Sequence, residues 1–306
     1  MDILKTIIPI FLVISIGLLA RKRGMIPDAF RGPANQITYL FAIPAMMFRA
    51  IAKSDFRGQF ELDLLLGTLL PIVIVFAVSW LFYRGIGVER KQTGTIVDGS
   101  IHGNIGYIGF AVVFYYLGAD ALARAAILSA FIMLLHNSLA IIVLQVNADR
   151  HGTRLEWGHV GMKIAGNPII LTAVIGIVFS VFQIPIPEII DRTLGIISSM
   201  ALPLALLVIG ASLDFHLKTQ HLIYILMACL FKLILMPAIG LWLYKNSGLG
   251  VELFLPGLIL LMMPVAALVF ILASELDGDT RLAANLISVS TALSALTIPI
   301  WLALLS

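Results

Sequence analysis

The chain has 306 residues, of which 60 % are hydrophobic and only 12 % are charged, with a mean hydropathy of +1.04. Soluble domains average roughly 45–50 % apolar and about 25 % charged residues, so these values exclude a water-soluble globular protein. The formal charge of +3 is concentrated in certain loops, which indicates orientation in a membrane rather than nucleic-acid binding. A single cysteine, Cys229, excludes an intrachain disulfide and a cysteine-rich zinc site.

Ten apolar stretches follow one another along the chain, each about long enough to cross a bilayer. The first is short and follows Lys5, but the basic cluster Arg21-Lys22-Arg23 is the wrong flank for a cleaved signal peptide, so we predict a span there. The predicted spans cover residues 6–20, 34–52, 63–83, 93–117, 121–145, 164–183, 193–213, 221–244, 253–274 and 282–304.

Basic residues in the loops and near the span ends are divided unequally between the two sides of the membrane. Loops after odd-numbered spans carry twelve, and the other side, with the N-terminus, carries seven. The positive-inside rule makes the richer side cytoplasmic, which predicts a multi-pass protein of the inner (plasma) membrane with both termini non-cytoplasmic. The twelve are Arg21, Lys22, Arg23, Arg31, Arg84, Arg90, Lys91, Arg150, Arg154, Lys163, Lys218 and Arg281, and the seven are Lys5, Arg49, Lys53, Arg57, Arg124, Arg192 and Lys245.

The two halves of the sequence also show signs of duplication. A shift of 159 residues superposes three pairs of identical residues without a gap, namely Pro9 with Pro168, Gly17 with Gly176, and Pro44 with Pro203. Each half holds five spans, an odd number, so the second half must enter the membrane from the opposite face.

The expected fold is therefore an all-α membrane protein with ten transmembrane helices in a 5+5 inverted repeat. Residues 1–146 form the first repeat, 147–163 a cytoplasmic connector, and 164–306 the second, inverted repeat.

Spans four and nine are predicted to be broken helices. Span four contains five glycines between Gly94 and Gly109, and each costs about 1 kcal/mol relative to alanine in a helix interior. In span nine, Pro264 removes one N–H group and clashes with the carbonyl four residues earlier. The same shift of 159 residues carries Gly103-Asn104 onto Met262-Met263, next to this proline, so the two breaks correspond.

Two broken helices at the midplane would present helix N-termini, with their partial positive charge, to an anion. We therefore expect a small organic anion as the ligand. The alternative is that the glycines only allow close helix packing and that Pro264 is a packed kink. The candidate substrate-binding residues are Gly103, Asn104, Gly106, Tyr107, Met263, Pro264, Val265 and Ala266.

A few ionisable residues inside the spans are candidates for coupling or charge. Asp98 and His102 stand four residues apart, on one helix face, as in a proton relay or a cation site, unless Asp98 only reaches water or a basic side chain. Lys232, near the centre of span eight, could attract the anion, pair with Asp98, or form a purely structural salt bridge. His136 and Asn137 are interpreted as hydrogen-bonding residues between helices rather than as ligands.

With these motifs the chain resembles the auxin efflux carrier family, in the bacterial branch that includes proteins named as malonate transporters. The resemblance covers essentially the whole length. It rests on Pro9 to Gly17 with the turn Arg21-Lys22-Arg23-Gly24, on Phe41-Ala42-Ile43-Pro44-Ala45, on residues 103–109, on Gly166-Asn167-Pro168, on residues 203–213, and on Met263-Pro264.

The resemblance implies a scaffold domain and a transport domain, with spans four and nine crossing. It also implies a substrate carboxylate beside the crossing and an elevator-like motion. Asn104 matches the polar residue of span four at the crossing, and Pro264 matches the proline of span nine. Relatives often have a proline after the glycines of span four, where this chain reads Gly109-Phe110-Ala111, and the long cytoplasmic loop of the plant carriers is lacking.

The leading hypothesis is a secondary transporter, for example a symporter, of mono- or dicarboxylates such as malonate. No nucleotide-binding loop occurs, and an intramembrane enzyme would need a second aspartate or a nucleophile with its base, so we expect no enzyme. A sensor or a channel on the same fold is the alternative.

The expected partners are the carboxylate and the lipid bilayer, with a homodimer as a hypothesis and no nucleic acid. No cofactor or bound metal is expected beyond a coupling ion. Protons would use Asp98 or His102, and sodium would use oxygen atoms around Gly103 and Ser100.

Overall fold

A computed structural model of the protein describes residues 3–55, 61–148, 166–215 and 221–305. Within these ranges the regular secondary structure is helical, and the β-structure found there is a single isolated backbone bridge. Most of the predicted connector 147–163 lies outside the described residues. So do five of the basic loop residues, namely Arg57, Arg150, Arg154, Lys163 and Lys218.

The helices have the following bounds in chain order. They are α1 (Ile3–Lys22), α2 (Asp28–Ile37), α3 (Ile43–Ala52), α4 (Leu62–Gly85), α5 (Arg90–Ile101), α6 (Phe110–Leu117), α7 (Ala119–Asn147), α8 (Pro168–Val181), α9 (Glu188–Ser199), α10 (Ala201–Ser212), α11 (Leu222–Leu230), α12 (Met236–Ser247), α13 (Val251–Met262), α14 (Leu268–Glu275) and α15 (Thr280–Ala303). Three π-helical segments precede α3, α6 and α12, namely π1 (Thr38–Ala42), π2 (Ile105–Gly109) and π3 (Phe231–Leu235).

Within the described residues, six helical stretches are long and apolar enough to cross a membrane. The outward face of α1 carries Leu4, Ile8, Leu12 and Ile16, each at least half exposed, as suits a helix in lipid rather than water. These features define a multi-pass membrane protein, and the count of ten spans stays a prediction. The six stretches are Ile3–Lys22, Leu62–Gly85, Ala119–Asn147, Glu188–Ser212, Leu222–Ser247 and Thr280–Ala303.

Spans two, six and seven begin four or more residues from the starts that hydropathy alone indicated. The helix of span seven starts at Glu188, before the predicted residue 193. The helix of span two starts at Asp28, before the predicted residue 34, because its first turns are polar and amphipathic. That of span six starts at Pro168, after the predicted residue 164. There Asn167 caps the helix, since its side-chain oxygen accepts hydrogen bonds from the N–H groups of Ile169 and Ile170, and proline suits the first helical position.

The chain folds into two compact units, each built from segments of both sequence halves. Unit 1 comprises Met1–Leu62, Ile105–Ala130 and Met162–Leu213, and unit 2 comprises Asp63–Asn104, Phe131–Gly161 and Asp214–Ser306. The assignment of residues 1–146 and 164–306 to two repeats is a different division of the chain, and it stays a prediction.

Unit 1 is held by two closely packed helix pairs, α1 with α10 and α3 with α8. On α1, a Cβ atom at Gly17 would clash with the backbone carbonyl of Leu207. On α8, a Cβ atom at Gly176 would lie 3.0 Å from Cβ of Ile51 and 3.7 Å from the carbonyl oxygen of Phe48. Glycine therefore allows both pairs to approach closely, as is common for helices in membranes.

Unit 2 contains α4, α5 and the helices from α11 to α15. The helix bounds of unit 2 follow the same shift of 159 residues. The shift carries Arg90–Ile101 onto 249–260, close to the helix Val251–Met262. It also carries Leu62–Gly85 onto 221–244, close to the helical stretch Leu222–Ser247. The two interrupted spans of the prediction begin with α5 and α13, both in unit 2.

Candidate functional site

Spans four and nine are both interrupted, as their glycines and proline predicted. Helix α5 ends at Ile101, and His102 is extended with φ −77° and ψ 93°. Helix α13 ends at Met262, Met263 is extended with φ −68° and ψ 143°, and helical structure resumes at Leu268. The expectation that span four is not a continuous helix is therefore confirmed.

Within unit 2 the two extended segments pair with each other through their backbones. Gly103 and Val265 form an antiparallel bridge. The N–H of Asn104 donates to the carbonyl of Pro264 at 2.7 Å, and the N–H of Ala266 donates to the carbonyl of His102 at 2.9 Å. The helix breaks leave backbone N–H and C=O groups without partners in their own helices, and such groups are costly in a membrane. The pairing of the two segments supplies hydrogen-bond partners for them.

A serine on α15 accepts a further hydrogen bond from this backbone pairing. The N–H of Val265 donates to Oγ of Ser290 at 3.0 Å, and both atoms are buried. Ser290 is not among the site residues predicted from the sequence. A signal for it exists, since Ser288, Ser290, Thr291 and Ser294 form a polar run in an otherwise apolar span.

Lys232 lies in π3 and is only 1 % exposed. Its Nζ donates to the carbonyl of Leu261, in the last turn of α13, at 2.9 Å and contacts Sδ of Met236 at 3.4 Å. The C-terminus of a helix carries partial negative charge, so the ammonium group is held at a favourable position. Among the described residues, Lys232 forms no ion pair with Asp98, so that alternative is wrong.

A second buried cluster adjoins this backbone bridge. Oδ1 of Asp98 and Nδ1 of His102 are joined by a hydrogen bond of 3.0 Å, with both residues at most 3 % exposed. The ring of His136 on α7 lies 4.7 Å from that of His102, centroid to centroid, at an interplanar angle of 42°.

Our interpretation of His136 as a helix-to-helix hydrogen-bonding residue is wrong. Both ring nitrogens are buried without a hydrogen-bond partner in the described part of the chain, and so is Oδ2 of Asp98. His136 faces another ionisable side chain instead of a polar partner, which hydropathy did not reveal.

Asn104 is 6 % exposed and is held by its backbone N–H. Its side-chain amide forms no hydrogen bond with any residue in the described ranges, so it offers donors and an acceptor to a ligand.

The structure brings together nine of the eleven predicted site residues in unit 2, and Gly106 and Tyr107 belong to unit 1. The Tyr107 hydroxyl donates to Oδ1 of Asn35 on α2. The nine are Asp98, His102, Gly103, Asn104, Lys232, Met263, Pro264, Val265 and Ala266. In the described part of the chain, no group of three or more His, Cys, Asp or Glu side chains could hold a metal ion.

Long apolar helices, a buried site with ionisable side chains, and two facing helix breaks are typical of a multi-pass membrane protein of the transporter class. The family model described as "Membrane transport protein" matches residues 2–302, and the chain belongs to this family. The resemblance to the auxin efflux carrier family is confirmed by this match.

Individual relatives match over nearly their whole lengths. An "Uncharacterized transporter" of Methanothermobacter thermautotrophicus is 22 % identical over 97 % of this chain and 96 % of its own. A Rhizobium meliloti protein named "Putative malonate transporter" is 24 % identical over 97 % and 94 %, and "Uncharacterized transporter YfdV" of Escherichia coli is 23 % identical over 97 % and 95 %. The chain is therefore a membrane transporter with a small-molecule substrate.

Proposed function

We propose that this transporter is a secondary active carrier of small organic anions, mono- or dicarboxylates such as malonate. The observation that carries the proposal is the backbone pairing of two helix breaks, around Gly103 and Val265, beside the buried side chain of Lys232. Discontinuous helices that meet inside the membrane are the usual binding sites of secondary transporters.

The electrostatics of Lys232 favour an anionic ligand. A helix C-terminus supplies the equivalent of roughly −0.5 elementary charge, which compensates only part of the charge of an ammonium group. Lys232 has three N–H groups, and its acceptors among the described residues are the carbonyl of Leu261 and the weak acceptor Met236. A carboxylate would supply both the missing acceptor and the missing negative charge.

The ligand donors in this proposal are Nζ of Lys232 and the side-chain amide of Asn104. Asn104 is adjacent to Gly103, whose Cβ position would lie 3.0 Å from Nζ of Lys232. The N-terminus of α14, where the N–H groups of Val269 and Phe270 donate to the carbonyls of Ala266 and Ala267, adds partial positive charge.

An inverted repeat of ten spans is part of the proposal, and it is supported by a symmetry in the packing of unit 1. Gly17 lies against the carbonyl of Leu207. Adding 159 to Gly17 gives Gly176, and subtracting 159 from Leu207 gives Phe48, whose carbonyl lies near Gly176. Two structurally equivalent halves would produce this reciprocal relationship. An elevator-type carrier uses such a repeat to expose its binding site to each side of the membrane.

Malonate enters the proposal through the name of the Rhizobium meliloti relative, at 24 % identity. The membrane is the inner (plasma) membrane and both termini are non-cytoplasmic, on the positive-inside argument.

The test is uptake of labelled malonate and related acids by purified protein in liposomes. Accumulation against a gradient supports a carrier, and flux only down a gradient contradicts the proposal in favour of a channel. Asn104→Ala should weaken uptake, whereas Asn246→Ala, which removes an exposed amide at the end of α12, should not. Full transport by Asn104→Ala would remove Asn104 from the site.

A thermal-shift screen of the detergent-purified protein identifies the acid. A ligand that binds only the folded protein stabilises it by RT ln(1 + [L]/Kd), about 2.7 kcal/mol at 100 times Kd. The screen is run with and without sodium. Stabilisation by no organic acid in either condition contradicts the proposed substrate class.

A further inference from the structure

A buried cluster of three ionisable side chains next to the backbone bridge is not used by the proposed anion site. Asp98, His102 and His136 are 0 %, 3 % and 2 % exposed. Oδ1 of Asp98 is bonded to His102, and the His102 ring lies against that of His136. The three side chains therefore lie in a row, joined by one hydrogen bond and one ring contact.

Three polar atoms of this cluster have no hydrogen-bond partner within the described ranges, namely Oδ2 of Asp98 and both ring nitrogens of His136. Buried polar groups are normally satisfied, so unsatisfied ones need an explanation such as a bound ion or a functional role. Oδ2 of Asp98 can accept a proton, and so can the unprotonated ring nitrogen of a neutral His136.

The chemistry of these atoms favours a proton over a sodium ion. Hard cations are bound by several oxygen ligands, but this cluster offers one free carboxylate oxygen and imidazole nitrogens. The hydroxyl of Ser100, the nearest alternative in the sequence, donates to the carbonyl of Ile96 in its own helix.

The elements packed around the cluster carry several charged and titratable groups, and Lys232 is the one that bears on the charge of the cluster. Helix α5 packs against α11, π3, α14 and α15. Lys232 on π3 is buried, and its Nζ lies against the backbone at Gly103, next to His102. The other groups are Tyr224 and Cys229 on α11, Glu275 and Arg281 at exposed ends of α14 and α15, and Tyr83 on α4, whose hydroxyl donates to the carbonyl of Tyr224.

We infer that Asp98, His102 and His136 form a binding site for one proton, which is carried together with the organic anion. The coupling rests on the proposed function, whereas the proton site itself does not. The proton comes from water on one side, forms one N–H or O–H bond in the cluster, and returns to water on the other side when that bond breaks. No oxidation or other covalent step is involved.

Charge explains why the two ligands travel together. With Asp98 ionised and both imidazoles neutral, the cluster carries a charge of −1, and the one bound proton makes it neutral. An anion bound at Lys232 is repelled by the charge of −1 and not by the neutral cluster, and charges interact strongly in a low-dielectric interior. Binding of the anion therefore favours binding of the proton, and by linkage the proton favours the anion equally.

The proton site is tested by infrared difference spectroscopy of the purified protein between two pH values. We expect a carboxyl C=O band that appears as pH falls, shifts in D2O, and is lost in Asp98→Asn. The control Asp63→Asn removes an exposed carboxylate at the start of α4 and should keep the band. A spectrum in which Asp98→Asn matches the wild type overturns the proton site.

Coupling is tested in liposomes with an inward proton gradient and labelled malonate. We expect at least tenfold less gradient-driven accumulation in Asp98→Asn and His136→Gln, with malonate/malonate exchange retained. His136→Gln leaves the bond between Asp98 and His102 in place, so it tests the site even where Asp98→Asn does not fold.

Two outcomes distinguish a failure of the proton coupling from a failure of the proposed function. Accumulation by His136→Gln equal to that of the wild type overturns the coupling. The infrared band without transport of any organic acid supports the proton site and overturns the proposed function.

Discussion

Gly103 lies directly against the ammonium group of Lys232: a Cβ atom at residue 103 would be 3.0 Å from Nζ and 3.2 Å from Cε. This contact joins the backbone bridge to the buried cation, because the same Nζ donates to the carbonyl of Leu261. Glycine is therefore needed at this position for two reasons: a Cβ atom would meet the side chain of Lys232, and the helix is interrupted here.

We expect Gly103→Ala to displace Lys232 from the carbonyl of Leu261. The Cβ atom is fixed to the backbone bridge, so the lysine must move, and we expect a loss of about 1–3 kcal/mol for the overpacked site. The measurement is thermal unfolding in detergent, together with the ligand-induced shift in Tm. Gly85→Ala is the control, since a Cβ there meets nothing within 4 Å, and equal behaviour of the two variants would contradict the argument.

Ser290→Ala should destabilise the interrupted part of span nine. It removes the acceptor of the Val265 N–H, and a buried donor left without a partner costs about 1–3 kcal/mol. The matched control is Ser294→Ala on the same helix, because the buried hydroxyl of Ser294 donates only to the carbonyl of Thr291 in its own helix. Hydrogen exchange of the segment around Val265 should increase in the first variant and not in the second.

The helix breaks could be predicted from the sequence because their causes are local. Glycine and proline disfavour a helix locally, so the cluster of glycines before Gly109 and the proline at 264 indicated the interruptions after Ile101 and Met262, although single prolines such as Pro71 and Pro299 lie inside continuous helices. The partners of Lys232 and His136 could not be predicted in the same way. Lys232 bonds to a backbone carbonyl 29 residues away, and no side chain in the sequence marks that acceptor.

The error at His136 has a similar physical reason. Periodicity places His136 on a helix face, but it does not say which neighbour covers that face. The structure places the ring against His102, so two ionisable residues meet where a hydrogen-bond donor or acceptor was expected. The role of such a residue depends on packing between elements distant in the sequence.

Gly17→Ala should destabilise unit 1 more than Gly176→Ala, although the two residues are equivalent under the shift of 159 residues. At Gly17 the added methyl group meets the Leu207 backbone, which cannot turn aside, whereas at Gly176 the nearest atoms belong to the Ile51 side chain. We expect about 2–3 kcal/mol for Gly17 and about 1 kcal/mol for Gly176. Thermal unfolding against the control Gly32→Ala, whose Cβ has open space, measures both, and the reverse order would contradict this packing.

Lys232→Met should separate ligand binding from stability. Replacing a buried charge that has no ionised partner among the described residues by an apolar side chain of similar length removes a desolvation cost, so we expect Tm to be unchanged or raised. The ligand-induced stabilisation should fall from about 2.7 kcal/mol at 100 times Kd to nearly zero, because the cation that attracts the carboxylate is gone. Lys245→Met, which removes an exposed charge at the end of α12, should bind the acid as the wild type does. A Lys232→Met protein that unfolds at a lower temperature yet keeps the ligand-induced shift would make Lys232 a cap of α13 and nothing more.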